Sequence, residues 1–565
     1  MAAPSPAANS SSLVCLKVVM TIFGQNLGRW GLIFILIAAL ALRLYSIHFG
    51  LPALNDSDEL MFELGAVKML RGLTLDPGWF GHPATTTMYV LALVDITVFI
   101  TGYGAGWFSS VQHFGDVIYG DPTWVILPGR IAICLFAIGT IFLTYRLAER
   151  LFDWRAGLVA IALLAVSPAH ITYSQIIRSD MMACFFMLLC MLSALNIAER
   201  GRTRDYVLAA LWIGVAVATK WPFALSILAV FGAAAYRLWS GAPEGRPQIV
   251  GQLALCCLLS PLFLILASPY LLLDYPTVVR NLTGEMRPYH LGATGGSPIE
   301  NILWYLRNLF VHGVGPVGVL LAAGGAIALA RSRLAAALLL PPAIGFVLLI
   351  STQHLVWERW GLPLLLFAAL LAGRGAVWLY DGAGRFLRPT AARGLAGVVA
   401  LLALALPLKV TTADAVERLH DTRQLAAQWA KAQIRPGQSV LIEHFAFDIV
   451  GEPWTILFPL GDAGCVDALA ALRGKIDYSL VDGARQARSN IDYGTVAAER
   501  RSSCATDFAI LTQYERYRAE RDRFPEQYAA YADLLAKGTV VARFAPEAGR
   551  RGGPAVTIIA FKQPR

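Results

Sequence analysis

Charge is scarce in this sequence: 15% of its 565 residues are Asp, Glu, Lys or Arg, where a soluble globular chain carries roughly 25%. Hydrophobic residues reach 56%, so a soluble globular fold is excluded for most of the chain. Cysteine is scarce too, with 8 residues and no metal-ligand spacing among them. Cys15, Cys134, Cys184, Cys190, Cys256 and Cys257 lie in or near apolar segments, where cysteine serves as a small hydrophobe. No glycine-rich phosphate loop follows a strand pattern. The net charge of +9 is spread over short loops rather than gathered into a basic stripe with interleaved aromatics, which argues against a nucleic-acid partner. No internal repeat is visible, and repeats are usual in transporters.

What is present is a succession of apolar runs, among them Leu32–Leu42, Ile126–Leu143, Phe185–Leu195 and Leu395–Leu408, several approaching the ~20 residues that cross a bilayer. After Lys409 the runs stop, and residues 411–565 read as a separate soluble domain. The expected architecture is an α-helical polytopic membrane domain, 1–410, followed by an α/β domain, 411–565. The amino-terminal segment has no small-residue cleavage site after an apolar core, so the first span is expected to be retained.

Positive charge marks the cytoplasmic loops. Placing Lys17–Arg29, Arg146–Arg155, Arg200–Arg204, Arg237–Arg246, Arg331–Arg333 and Arg374–Arg393 inside puts residues 50–125, 169–180, the turn at Lys220, 274–301, 351–360 and the tail outside. The amino terminus is then cytoplasmic. This scheme has about eleven spans and requires that Thr85–Ile100, which contains Asp95, lie at the interface or re-enter without crossing.

Polar residues at membrane depth are costly and mark functional sites. Here they gather on the outer face. Asn55-Asp56-Ser57-Asp58-Glu59 opens a helical pattern. Asp56 or Ser57 can cap that helix, but capping needs one residue and three acids are present, which points to Asp58 as a catalytic carboxylate. Gly81-His82-Pro83 and Arg178-Ser179-Asp180 add an imidazole and a second carboxylate to the same face, a set suited to taking a proton from an acceptor hydroxyl or amine; a turn histidine and a helix cap are the plainer alternatives. Lys220 in an almost loopless turn, Arg130 after Pro128-Gly129, Arg178, and Glu358-Arg359-Trp360 supply cations. For Arg359 a salt bridge, for example to Glu358, stands beside an anionic ligand. A lipid-linked phosphate would account for cations beside carboxylates. With its charge neutralised it is a good leaving group, so one base suffices and the transfer inverts the anomeric carbon.

These residues resemble the GT-C glycosyltransferases, in particular the protein O-mannosyltransferases and lipid A aminoarabinose transferases. The similar features are Asp58-Glu59 opening a juxtamembrane helix, Gly81-His82-Pro83 later in that loop, Arg130 entering a span, Tyr173–Asp180, Ala218-Thr219-Lys220, and Arg359-Trp360-Gly361-Leu362-Pro363. The resemblance covers most of residues 30–410. It implies Asp58 as base, Glu59 and Asp180 in support, and Lys220, Arg130, Arg178 and Arg359 on the phosphate of a polyprenyl-phosphate-linked sugar. It departs from the family at His82-Pro83-Ala84, where aminoarabinose relatives carry Lys-Pro-Pro, and at Trp360 in place of tyrosine, so the sugar is left open. The acceptor is a lipid, a glycan or a protein. The implied location is a bacterial inner membrane with the site on its outer face. No cofactor is required, although paired acids can recruit a divalent ion. A transporter or flippase of a lipid-linked or anionic solute is the alternative function.

The loop Gly284–Gly296, with Tyr289 and His290 as substrate-site candidates beside His82 and Trp360, is either a cover over the site or a plain connector. In the tail, Ala413–Gln433 reads as a helix, and Ser439–Glu443, Tyr478–Val481, Phe508–Leu511 and Ala555–Phe561 as strands. Cys465 and Cys504 are a disulfide candidate if the tail faces an oxidising compartment.

Overall fold

The computed structural model describes residues 26, 28–241, 245–476, 481, 483 and 491–561. The amino-terminal segment and, apart from Val481, the strand expected at 478–481 lie outside the described residues. Helix α1 spans 28–44. Then come α2 (Ser57–Gly72), α3 (Thr85–Gly104), α4 (Val111–Gly120), α5 (Thr123–Leu151), α6 (Trp154–Val166), α7 (Pro168–Ser174), α8 (Ser179–Arg200), α9 (Thr203–Thr219) and α10 (Ile227–Ser240). They are followed by α11 (Arg246–Ala267), α12 (Tyr270–Leu273), α13 (Tyr275–Glu285), α14 (Pro298–Asn308), α15 (Gly315–Leu329), α16 (Arg333–Ser351), α17 (Leu362–Ala383), α18 (Pro389–Leu419) and α19 (Thr422–Gln433). Eight of the described helices are long and apolar enough to cross a membrane, or up to ten if two bent pairs count as one span each. The chain is a polytopic membrane protein.

Length and composition include α3 among the eight, where an interfacial or re-entrant segment was expected, and both of its ends are packed on neighbouring elements. At its start, Thr85 Oγ1 meets Ser268 Oγ at 2.7 Å and Thr86 Oγ1 meets Thr219 Oγ1 at 2.6 Å. Near its other end Phe99 packs on Phe114 of α4, and Asp116 of α4 pairs with Lys475 of the carboxy-terminal region at 3.0 Å. The first turn of α5 comes to the same place through Trp124 against Trp107.

Two local devices shape the end of the bundle that carries Asp58 and Asp180. Asp56 caps α2, its side chain accepting the N–H of Asp58 at 3.0 Å, and Asp58 and Glu59 occupy the first turn, where the helix dipole favours anions. At Ser167 the chain bends by 65° between α6 and α7. The fully buried Arg43 guanidinium of α1 fastens this bend, donating to Leu164 O (3.0 Å) and Ala165 O (3.2 Å) and meeting His170 Nδ1 at 2.8 Å. The bend carries Tyr173–Asp180 back toward α2.

α18 continues to Leu419, past residue 410, and Asp421 then starts α19 by accepting the N–H of Arg423 at 2.9 Å. The single helix expected over 413–433 is thus two. A six-stranded sheet follows in the order β3-β2-β1-β4-β6-β5: β1 Ser439–Ile442, β2 Thr455–Pro459, β3 Cys465–Asp467, β4 Phe508–Leu511, β5 Gly538–Phe544 and β6 Val556–Phe561. β1 is parallel to β2 and β4, and the remaining pairs are antiparallel. Alternate residues face opposite sides of the sheet. Val440, Ile442, Ile510 and Ile558 pack on Ala426 and Ala430 of α19, while Leu441, Ala509, Leu511 and Ile559 pack with Tyr517, Tyr531 and Leu534. Cys465 and Cys504 form a disulfide with Cα atoms 5.0 Å apart.

Candidate functional site

One end of the bundle holds two ion-pair clusters and a third cation outside any ion pair. In the first, both Asp56 oxygens accept from Arg178 Nη2 at 2.9 Å, and Arg178 Nη1 donates to Asp58 Oδ2. Asp58 Oδ1 accepts no bond among the described residues, and the Asp58 side chain is 33% exposed. Burial pushes the Asp58 carboxyl up, but Arg178 and Arg359, with His82, outweigh it and hold the group below the usual carboxylate range. Asp58 is therefore an anion with one oxygen free.

In the second cluster Lys220 Nζ donates to Asp180 Oδ1 at 2.5 Å, both side chains being almost wholly buried. The turn that carries Lys220 is bound to the His82 loop: Trp221 N donates to His82 O at 2.7 Å, and Ala84 N to Thr219 O at 3.1 Å. The His82 ring lies edge-on to Trp79 at 4.9 Å, and its Nδ1 is buried without a partner among the described residues. Burial, and then Lys220 and Arg359, lower His82 to about 3, so the imidazole is neutral.

The third cation, Arg359, is different. It is 7% exposed, its guanidinium stacks 4.2 Å above the Trp357 ring, and it makes no ion pair or hydrogen bond among the described residues. With Asp180, Lys220 and Trp360 it lines a cavity of about 110 Å³ whose other walls, apart from Gln353, are apolar, including Phe223, Phe346 and Leu349. An apolar cavity of about 80 Å³ between α14, α16 and α17 adjoins it through Ile350. A buried cation that acts on Asp58 and Asp180 without contacting either, at the end of largely apolar cavities, suits an anionic head on an apolar tail.

The profile of the dolichyl-phosphate-mannose-protein mannosyltransferase family matches residues 107–272, a stretch that includes Arg130, Asp180 and Lys220. No curated protein matches the chain by sequence. Among solved structures, ArnT from Cupriavidus metallidurans in the apo state aligns with a TM-score of 0.53 at 14% identity, covering 94% of this chain and 97% of that one. The same protein bound to undecaprenyl phosphate aligns with a TM-score of 0.50 at 14% identity over the same shares. The chain has the GT-C glycosyltransferase fold. Its neighbours by profile and by structure are glycosyltransferases that use lipid-linked donors.

Within this GT-C fold several of the expected site residues do other work. Arg130 was expected on a donor phosphate. It is fully buried, with Nε and Nη2 on Glu59 at 2.8 and 2.6 Å and Nη1 on the carbonyls of Ile47 and Phe49 at 2.8 and 2.9 Å. Glu59 also accepts the N–H of Ile177 at 3.0 Å. The pair is an internal clamp tying α2 to α5, and neither group faces a cavity. Arg178 likewise is taken up by Asp56 and Asp58 rather than by the cavity. Glu358 pairs with His312 at 2.9 Å and accepts from Tyr173 OH at 3.3 Å, not with an arginine. Tyr289 is exposed on its loop, whereas the His290 ring packs on Trp357 at 4.9 Å; burial, and then Arg287, lower His290 to about 4. Among the described residues no three His, Cys, Asp or Glu side chains are grouped to hold a metal ion. Trp357, which supports Arg359, was missed; its place in the run Trp357-Glu358-Arg359-Trp360 was the available signal.

Proposed function

We propose that this chain transfers a glycosyl group from a polyprenyl-phosphate donor to an acceptor at the outer face of a bacterial inner membrane, with inversion and with Asp58 as general base. The observation that carries the reading is the unpaired Arg359 in a cavity shared with Lys220 and Asp180, its charge acting directly on Asp58. Arg359 receives the donor phosphate, and the adjoining apolar cavities receive the prenyl chain. Asp58 Oδ1 takes the proton of an acceptor O–H or N–H as that atom attacks the anomeric carbon. The bond from that carbon to the phosphate oxygen breaks, its electron pair leaves with the polyprenyl phosphate, and Arg359 holds the charge that develops. Lys220 is already compensated by Asp180, which makes it a secondary contact that repositions Asp180 when phosphate arrives. The tail, with its disulfide, then faces the oxidising side of the membrane.

Purified protein offered a panel of polyprenyl-phosphate sugars, with and without membrane extract as acceptor source, tests this. Consumption of one donor that depends on the extract is expected. No consumption of any donor, together with movement of lipid-linked solute across reconstituted vesicles, contradicts it.

A further inference from the structure

The carboxy-terminal sheet region touches the membrane bundle at places that lead to the site. On one side Leu54 N donates to Phe445 O at 2.9 Å and Arg423 Nη1 to Asn55 O at 2.7 Å, just before Asp56 and Asp58. On the other side the loop 286–296 enters the tail. Leu291 is 2% exposed and belongs to the same apolar core as Tyr493, Tyr517 and Tyr531. Gly292 N donates to Glu520 Oε1 at 2.7 Å. Gly292 has φ +78, a conformation that strains any L side chain, and a Cβ there would also sit 2.6 Å from Arg516 Nη2. The neighbouring residues pair with the loop ahead of Arg359: Val356 N with Ala293 O at 2.9 Å and Gly295 N with His354 O at 2.8 Å. His290 then packs on Trp357, and Trp357 carries Arg359.

We propose that the carboxy-terminal domain is a positioning device for the donor site, with Glu520 and Leu291 as positioning residues that set Arg359 through Gly292, His290 and Trp357; this rests on the reading of Arg359 as the phosphate-facing cation. An arginine in no contact ion pair or hydrogen bond among the described residues has little of its own to fix its place. Stacking on Trp357 orients its plane, and Trp357 is held by the His290 ring of that loop and by its N–H donating to Tyr305 OH at 3.3 Å. Because that loop is plugged into the core of the tail, the sheet region and the arginine form one mechanical unit, and the acceptor does not need to touch the sheet at all.

The test is equilibrium binding of undecaprenyl phosphate to the purified full chain in detergent, with thermal unfolding measured on each sample. Arg359→Ala, Glu520→Ala and Leu291→Ala are each expected to weaken binding about three- to tenfold. Glu520→Gln, which keeps an acceptor for Gly292 N–H, is expected to restore it with the unfolding temperature of Glu520→Ala unchanged. Lys537→Ala, on an exposed tail ion pair, should bind as the parent does. If Arg359→Ala weakens binding while Glu520→Ala and Leu291→Ala do not, the positioning role is wrong and the reading of Arg359 stands. If Arg359→Ala binds normally, both fall. Loss of binding in Glu520→Ala that tracks a lower unfolding temperature and is not restored by Gln reduces Glu520 to a stabilising contact and overturns the proposal.

Discussion

Arginine near the candidate site has three fates here, and the partner decides which. Arg130 is saturated by Glu59 and two carbonyls, Arg178 is shared by Asp56 and Asp58, and Arg359 has an aromatic ring and no anion. Sequence spacing marks all of them as noteworthy but cannot distinguish them, because partner choice is set by which loops meet after the helices pack. Asp56 as the cap of α2 was legible, since the reason is local. The burial of Glu59 against Arg130 was not, since Arg130 reaches it from another helix. The buried pair makes a sharp prediction. Arg130→Met leaves Glu59 uncompensated in the interior and should cost about 3–5 kcal/mol, seen as a large fall in unfolding temperature. Adding Glu59→Leu should recover part of it. An unchanged unfolding temperature in the single variant contradicts the clamp.

At the level of elements, α3 is the one for which composition and the parity of the charged loops disagree. Its residues satisfy the length and hydropathy of a span, and what argued for a surface position was the parity of the charged loops, a property of the whole pattern rather than of the segment. Contacts at its two ends bear on the same question: cysteines placed at Gly78 and Ser109, before and after α3, should both react with a membrane-impermeant thiol reagent from the side that also reaches the tail. Reaction from opposite sides would show that α3 crosses. The tail strands β1, β4 and β6 were legible as short apolar runs, which the structure buries on both faces. β2, β3 and β5 were not, because β2 contains Pro459, β3 is three residues long, and β5 is an edge strand with exposed Val540 and Val541. Beneath these strands Asp492, fully buried, accepts from Tyr517 OH at 2.9 Å and Thr495 N at 3.0 Å. Burial and the neighbouring Glu443 raise its carboxyl from 3.8 to about 7. The folded form thus keeps a proton that the unfolded chain releases, so stability from this group is fully present below pH 3.8 and is lost as pH rises toward about 7. Asp492→Asn removes that loss. The difference in unfolding temperature, variant minus parent, should grow over this window and level off above it; a difference that shrinks with rising pH contradicts the assignment.

For the molecule as a whole, the GT-C architecture gathers on one face residues that are far apart in sequence. Asp58 comes from the first loop, Asp180 and Lys220 from the ends of middle helices, and Arg359 from the turn before α17, while a sheet domain at the far end of the chain holds the loops between them. The first four were readable as a set, because charge near apolar runs is conspicuous. The holding of those loops by Glu520 and Leu291 was not, because a glutamate and a leucine in a soluble tail carry no mark of what they will touch. The central claim is that Asp58 is the base and the cations only hold the donor. The most direct measurement compares Asp58→Asn with the parent for two quantities on one preparation: turnover of the donor identified from the panel, and affinity for undecaprenyl phosphate. The account predicts turnover lowered by about a hundredfold or more, with affinity within about twofold of the parent. Near-parental turnover in Asp58→Asn would contradict it.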